Sequence, residues 1–252
     1  MKNILWISNI VTFVLLLFMI LYYQVPQKVY AKLFKTNSIP PVIKIQKDST
    51  GVACAYGLEA YDFHYKKESD SATIIMVGDS HIRNGDWVSL LNRQDIINRG
   101  ISGDNSTCIC ERLKYLKGKN AKIWFINGGM NDLPWNSPAV VFENYKRIIE
   151  FVKEEGAIPV INLLLYSSPW AGYNYPTRSD YKKINSMVEE LNSMLISYAK
   201  SNNIDYIDLN PILADKNKVF KDEYTTDGIH LTNDAYQKWA ILIQKILVQK
   251  NI

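Results

Sequence analysis

A short apolar run with an abrupt end constrains this chain more than any other stretch. Thr73-Ile74-Ile75-Met76-Val77 carries no charge, and Gly78-Asp79-Ser80-His81 comes directly after it. A run of this length without polar alternation reads as a strand buried on both faces, the pattern of a parallel sheet. Ser80 then lies just past the carboxyl edge of that strand, where α/β sheets build their sites. Gly78 is expected to let the chain turn there without a Cβ clash. Gly, Asp and Ser are also ordinary turn residues, so the segment needs support from elsewhere in the chain.

The alternation of strands and helices past Ser80 supplies part of that support. Strands are expected at 73–77, 95–98, 122–127, 158–165 and 205–208. Helical patterns lie between and after them, at 106–116, 139–155, 180–202 and 233–248. In the second helix Val141, Tyr145, Ile148, Ile149 and Val152 recur at three-to-four spacing, and Thr232 or Asn233 is the expected cap of the last. Strands alternating with helices imply right-handed crossovers and a parallel sheet covered on both faces. Residues 71–252 are enough for one domain with its own core.

The amino terminus is different. Ile4 to Tyr23 holds no charge, and only Ser8, Asn9 and Thr12 are clearly polar. That length spans a bilayer's hydrocarbon core as a helix. Residues 1–23 are therefore expected to be a transmembrane signal anchor, with a cleaved signal peptide as its competitor. Lys2 lies on one side, and Lys28, Lys32, Lys35, Lys44 and Lys47 on the other. Counted literally, that bias puts the large domain in the cytoplasm. One globular domain behind an amino-terminal apolar segment is the layout of an exported, tethered protein, so the outside is favoured. Residues 24–70, broken by Pro26, Pro40 and Pro41, read as a stalk. His64 within it is expected at a surface or in an aromatic cluster.

A net charge of +4 with no basic run interleaved with aromatics argues against nucleic acid as a partner. Three cysteines with no Cys/His ligand spacing argue against zinc. A bridge from Cys54 to the Cys108 region is conceivable, but free buried thiols are the favoured reading.

Four segments with chemical potential fall at strand ends or in loops: Gly78-Asp79-Ser80; Asn98 to Asp104; Gly128-Gly129-Met130-Asn131-Asp132; and Asp227-Gly228-Ile229-His230. A serine nucleophile needs a base within reach, and the base needs a third group to fix its tautomer. Asp227 and His230, three apart in a turn, can lie on one side, leaving Nε2 of His230 for Ser80. His81 should diverge from Ser80, to a pocket wall or the surface. Acyl transfer also needs oxyanion donors, and the Gly103 amide and the Asn131 side chain follow two strands expected to neighbour the first.

These four segments, in this order, resemble blocks of the SGNH hydrolases, also called GDSL esterases/lipases, over residues 73 to 249. The resemblance implies a flavodoxin-like three-layer α/β/α domain with a five-stranded parallel sheet. It implies Ser80, His230 and Asp227 as a catalytic triad. It implies the Ser80 amide, the Gly103 amide and Asn131 as the oxyanion hole, with neither metal nor cofactor. The first block departs mildly from the family pattern, with His81 where Leu or Ile is common. Relatives of this kind hydrolyse esters or thioesters, and some transfer acyl groups instead.

For the substrate, Trp135 follows the Asn131 turn, and Tyr166, Trp170, Tyr173 and Tyr175 lie in the loop after the fourth strand. Flat aromatic walls suit sugar faces or a short acyl group, although compact loops also pack their own rings. Trp135, Tyr166 and Trp170 are the candidate substrate contacts. No long apolar lid is evident. The reading is a serine esterase for small acyl esters, acetyl foremost, on a small molecule or carbohydrate. An O-acyltransferase or a lysophospholipase or thioesterase would use the same residues. The oligomeric state stays open.

Overall fold

The computed structural model describes Cys54 and residues 72–252. The expected span of residues 4–23, His64 and the rest of the stalk lie outside the described residues. Among the described residues no helix is long and apolar enough to cross a membrane.

Five strands form one parallel sheet: β1 (Ile74–Gly78), β2 (Ile96–Gly100), β3 (Ile123–Ile126), β4 (Ile158–Asn162) and β5 (Asp205–Ile207), in the order β2-β1-β3-β4-β5. Register is fixed by pairs such as Ile74 with Ile96 and Ile123, and Ile123 with Ile158. The chain steps from β1 to β2 on one side, then crosses to β3 on the other. The carboxyl ends of β1 and β3 thus flank the topological switch point, where open α/β sheets leave a crevice.

The helices are α1 (Ser80–Arg83), α2 (Trp87–Leu91), α3 (Ser106–Arg112), α4 (Pro138–Glu154), α5 (Trp170–Asn174), α6 (Tyr181–Ser201), α7 (Asn210–Leu213) and α8 (Asn233–Gln249). Alternate residues of each strand feed opposite faces. Ile75, Val77, Trp124, Ile126 and Ile161 meet the apolar stripes of α3, α4 and α6. Ile74, Met76, Phe125 and Val160 meet α2 and α8, where Trp87 packs edge-on against Trp239 at 5.0 Å. Both faces of the sheet are covered, which is the three-layer arrangement expected. Fully burying a Leu or Ile on either face contributes roughly 1.5–3 kcal/mol.

The differences from expectation have local causes. The fourth strand stops at Asn162, not Leu165, because β5 is only three residues long. Beyond it, Asn192 Oδ1 accepts from the Leu164 amide, and Asn192 and Asn210 Nδ2 donate to the Leu164 carbonyl. Side-chain amides thus replace the missing neighbour. The helix from Ser106 tightens into a 3-10 turn at Leu113–Leu116. Thr232 caps α8 by position only, since its hydroxyl donates to the Glu223 carbonyl instead.

The reading of all cysteines as free thiols is wrong for two of the three. Cys54 and Cys108 form a disulfide with Cα atoms 5.5 Å apart, and only Cys110 is free and buried. The Cys108–Cys110 offset turns these two side chains to different sides of α3, so one can bridge while the other packs inward.

Candidate active site

Gly78 closes β1 within the strand, not in a turn. A Cβ there would sit 2.1 Å from the Asn127 carbonyl oxygen and 2.6 Å from Ile82 Cγ1. Close approach of β3 and α1, not turn geometry, demands glycine here. Asp79 then caps α1 by accepting from the His81 amide at 2.9 Å, which leaves Ser80 as the first helical residue. Its amide has no partner within the helix, as at any helix start.

From the other end of the chain, Asp227 and His230 arrive on a closed loop. Gly228 takes φ 92°, and a Cβ there would strike the Ala171 amide nitrogen at 2.3 Å. Thr225 Oγ1 accepts from the Gly228 amide and donates to the His230 carbonyl, which ties the loop to itself. Asp227 Oδ1 accepts from the Ile229 and His230 amides at 3.0 and 2.8 Å. Its Oδ2 lies 2.6 Å from His230 Nδ1. Burial works against the charged carboxylate. The hydrogen bonds from His230, Ile229 and Tyr175 outweigh it and hold Asp227 down at about 2.

His230 Nε2 lies 3.0 Å from Ser80 Oγ. With Nδ1 facing a carboxylate it carries the proton there, so Nε2 offers its lone pair to the serine hydroxyl. The three residues expected to converge do so, in a line along which Oγ can lose a proton to Nε2.

Asn131 follows β3. Its Nδ2 donates to the Asp104 carbonyl at 2.9 Å, so the loops after β2 and β3 are joined. Gly103, exposed and at φ 83°, sits in the same turn as Asp104. Beneath it, buried Arg112 donates to Asp104 Oδ2 and to the Gly78 carbonyl, both at 2.8 Å. One guanidinium thus ties the loop after β2 to the last carbonyl before Asp79. Asp132 anchors the same corner: its oxygens accept from the amide and hydroxyl of Ser106, the first residue of α3. Burial pushes Asp132 up to about 6, against those two hydrogen bonds.

Several site residues carry no strong local signal in the sequence. His81 is buried, not at the surface. Its Nε2 lies 2.9 Å from the Ile229 carbonyl, so it donates there and holds the residue before His230. Burial lowers its pKa, which suits a neutral donor. Tyr175 donates its hydroxyl to Asp227 Oδ2 at 2.9 Å. Arg178 Nη2 donates to Asn131 Oδ1 at 3.0 Å. Tyr175 stands among the loop aromatics in sequence, but nothing there marks it as the partner of Asp227.

The three aromatic candidates separate. Trp135 is 74% exposed and Trp170 47%, and Trp170 packs its backbone against Gly228. Tyr166 is half-buried against the α4–α6 side of the core, with Glu189, Lys218 and Asp208 as its charged neighbours. Its backbone amide donates to Asn210 Oδ1 at 3.1 Å. No group of ligating side chains for a metal occurs among the described residues.

The family model described as "GDSL-like Lipase/Acylhydrolase family" matches residues 70–238, more than half of the chain. No curated protein matches the sequence. Among solved structures, a GDSL-like lipase from Bacteroides thetaiotaomicron is similar at TM-score 0.67 and 21% identity, over 77% of this chain and 98% of that one. An aryl esterase of M. smegmatis is similar at TM-score 0.54 and 13% identity, over 71% and 99%. An acetyl xylan esterase is similar at TM-score 0.54 and 18% identity, over 69% and 98%. At these identities the likeness is one of fold. The chain belongs to the GDSL-like lipase/acylhydrolase family and is a hydrolase acting on esters.

Proposed function

We propose that the protein is a serine esterase for small acyl esters, acetyl foremost, on carbohydrate, acting through a covalent acyl-enzyme. The observation that carries the reading is the unbroken line Ser80 Oγ–His230–Asp227 at 3.0 and 2.6 Å. Ser80 Oγ attacks the ester carbonyl as His230 Nε2 takes its proton. Asp227 steadies the imidazolium. The oxyanion is received by the amides of Ser80 and Gly103 and by Asn131 Nδ2. Collapse expels the alcohol, which recovers the proton from His230. Water, activated by the same imidazole, then releases the acid and free Ser80.

Exposed Trp135, past the Asn131 turn, and exposed Trp170, against Gly228, support a flat, sugar-like alcohol portion. The acetyl xylan esterase of similar fold supports the acetyl reading. We place the domain outside the reducing cytoplasm, tethered by residues 1–23; the Cys54–Cys108 disulfide supports an oxidising compartment. A panel of p-nitrophenyl esters from acetyl to palmitoyl, with acetylated xylan oligosaccharides beside them, tests the reading. Acetyl turnover should exceed long-chain turnover by about tenfold or more. Long-chain preference would overturn it, and diversion of the acetyl group from water to an added sugar would make the protein a transferase.

A further inference from the structure

The four-residue segment Tyr175-Pro176-Thr177-Arg178 touches two parts of the site at once. Tyr175 holds Asp227, and three residues later Arg178 reaches Asn131. Arg178 is 5% exposed, and its Nη1 has no hydrogen-bond partner among the described residues. Burying a guanidinium with a donor unmatched costs stability. A loop built only to cover the sheet has no need of it.

The contact it makes is specific. Asn131 Oδ1 accepts from Arg178, and Asn131 Nδ2 donates one hydrogen to the Asp104 carbonyl. Flipping the amide would set donor against donor at Arg178 and acceptor against acceptor at Asp104. The orientation is therefore locked. In it the second Nδ2 hydrogen is left for another acceptor. A charged donor on the amide oxygen also draws electron density from the nitrogen, which strengthens that remaining N–H as a donor. The positive charge adds to the field at the place where negative charge develops.

We propose that Arg178 is a positioning residue of the esterase site: it fixes and polarises the Asn131 amide that receives the oxyanion. This rests on the assignment of Ser80, His230 and Asp227 as the catalytic line.

Arg178→Gln, Asn131→Ala and the double variant test it, each checked for folding by circular dichroism. Arg178→Gln should lower kcat about 10–100-fold with KM within about threefold. In the Asn131→Ala background the same change should cost less than about threefold more, since the amide it serves is gone. A full multiplicative loss in the double variant, or a loss expressed in KM alone, would overturn the proposal. Arg178→Lys keeps the charge without the planar fork and should fall between wild type and Arg178→Gln. If the variants do not fold, the wild-type crystal structure after reaction with an organophosphonate decides. Asn131 Nδ2 should then lie at hydrogen-bond distance from the phosphoryl oxygen with Arg178 still on Oδ1. Ser80 phosphonylated with Asn131 or Arg178 displaced would overturn this inference alone. Failure of Ser80 to react at all would overturn the catalytic reading beneath it.

Discussion

The carboxylate of Asp227 and the imidazole of His230 meet at 2.6 Å although they stand only three positions apart, because Gly228 between them takes φ 92° and tucks against Ala171. A β-carbon at 228 would collide with backbone, so the turn that makes this contact is open to glycine alone.

Asp227 is held low, at about 2, so its folded value lies below the unfolded value of about 3.9. A depressed carboxyl contributes stability above its unfolded pKa and loses it as pH falls through the folded one. Between about pH 4 and pH 2 the wild-type protein should therefore lose stability relative to Asp227→Asn. Chemical denaturation across that window checks it, and parallel curves would refute it. Tyr175→Phe removes one donor from the carboxylate and should move the acid edge of the window upward. Asp227→Asn should also lower kcat on the order of 10⁴-fold, as expected when the histidine loses its tautomer.

Ser80 and His230 act on one proton, so their losses should not multiply. Ser80→Ala and His230→Ala should each lower kcat by about 10³–10⁶-fold, and the double variant should match either one. Single-turnover kinetics on p-nitrophenyl acetate would show it. A multiplicative double loss would mean that the two residues work separately.

Asp132 behaves in the opposite sense to Asp227. Burial raises it to about 6, so the folded state holds its proton more tightly than the unfolded chain. Stability from this group is full below about pH 4 and falls as pH rises through about 6. Relative to Asp132→Asn, the wild type should lose on the order of 2–3 kcal/mol over that interval, at about 1.4 kcal/mol per pKa unit. Urea midpoints at several pH values measure the difference. A difference that stays flat would mean that the Ser106 hydrogen bonds offset the burial in full.

The Cys54–Cys108 bridge closes a loop with a sequence separation of 54. In the chain-entropy account a loop of that size contributes about 4 kcal/mol. The double change Cys54→Ser with Cys108→Ser should lower the urea midpoint accordingly, and reduction of the wild type should reproduce the drop. A reduced protein as stable as the oxidised one would contradict it.

What the sequence makes legible is what local spacing determines. The β1 run, the amphipathic spacing of α4 and α6, and the Asp227-to-His230 turn are each set by residues within a few positions of one another. Their positions are therefore readable without the fold. Tyr175 on Asp227, Arg178 on Asn131, His81 on Ile229 and Arg112 on Gly78 join residues 34 to 148 positions apart. No periodicity marks such pairs, and each side chain alone looks like an ordinary loop or helix residue. The disulfide is obscured in the same way, since a Cys54 partner 54 residues away leaves no local trace.

The disulfide also decides what a protease can accomplish. A nick anywhere between residues 55 and 107 severs the backbone yet leaves the two pieces joined through Cys54 and Cys108. Whatever lies upstream of Cys54 is thus leashed to the sheet by a second, non-peptide connection. Shedding the esterase from its upstream segment takes either a cut ahead of Cys54 or a cut behind it together with a reductant.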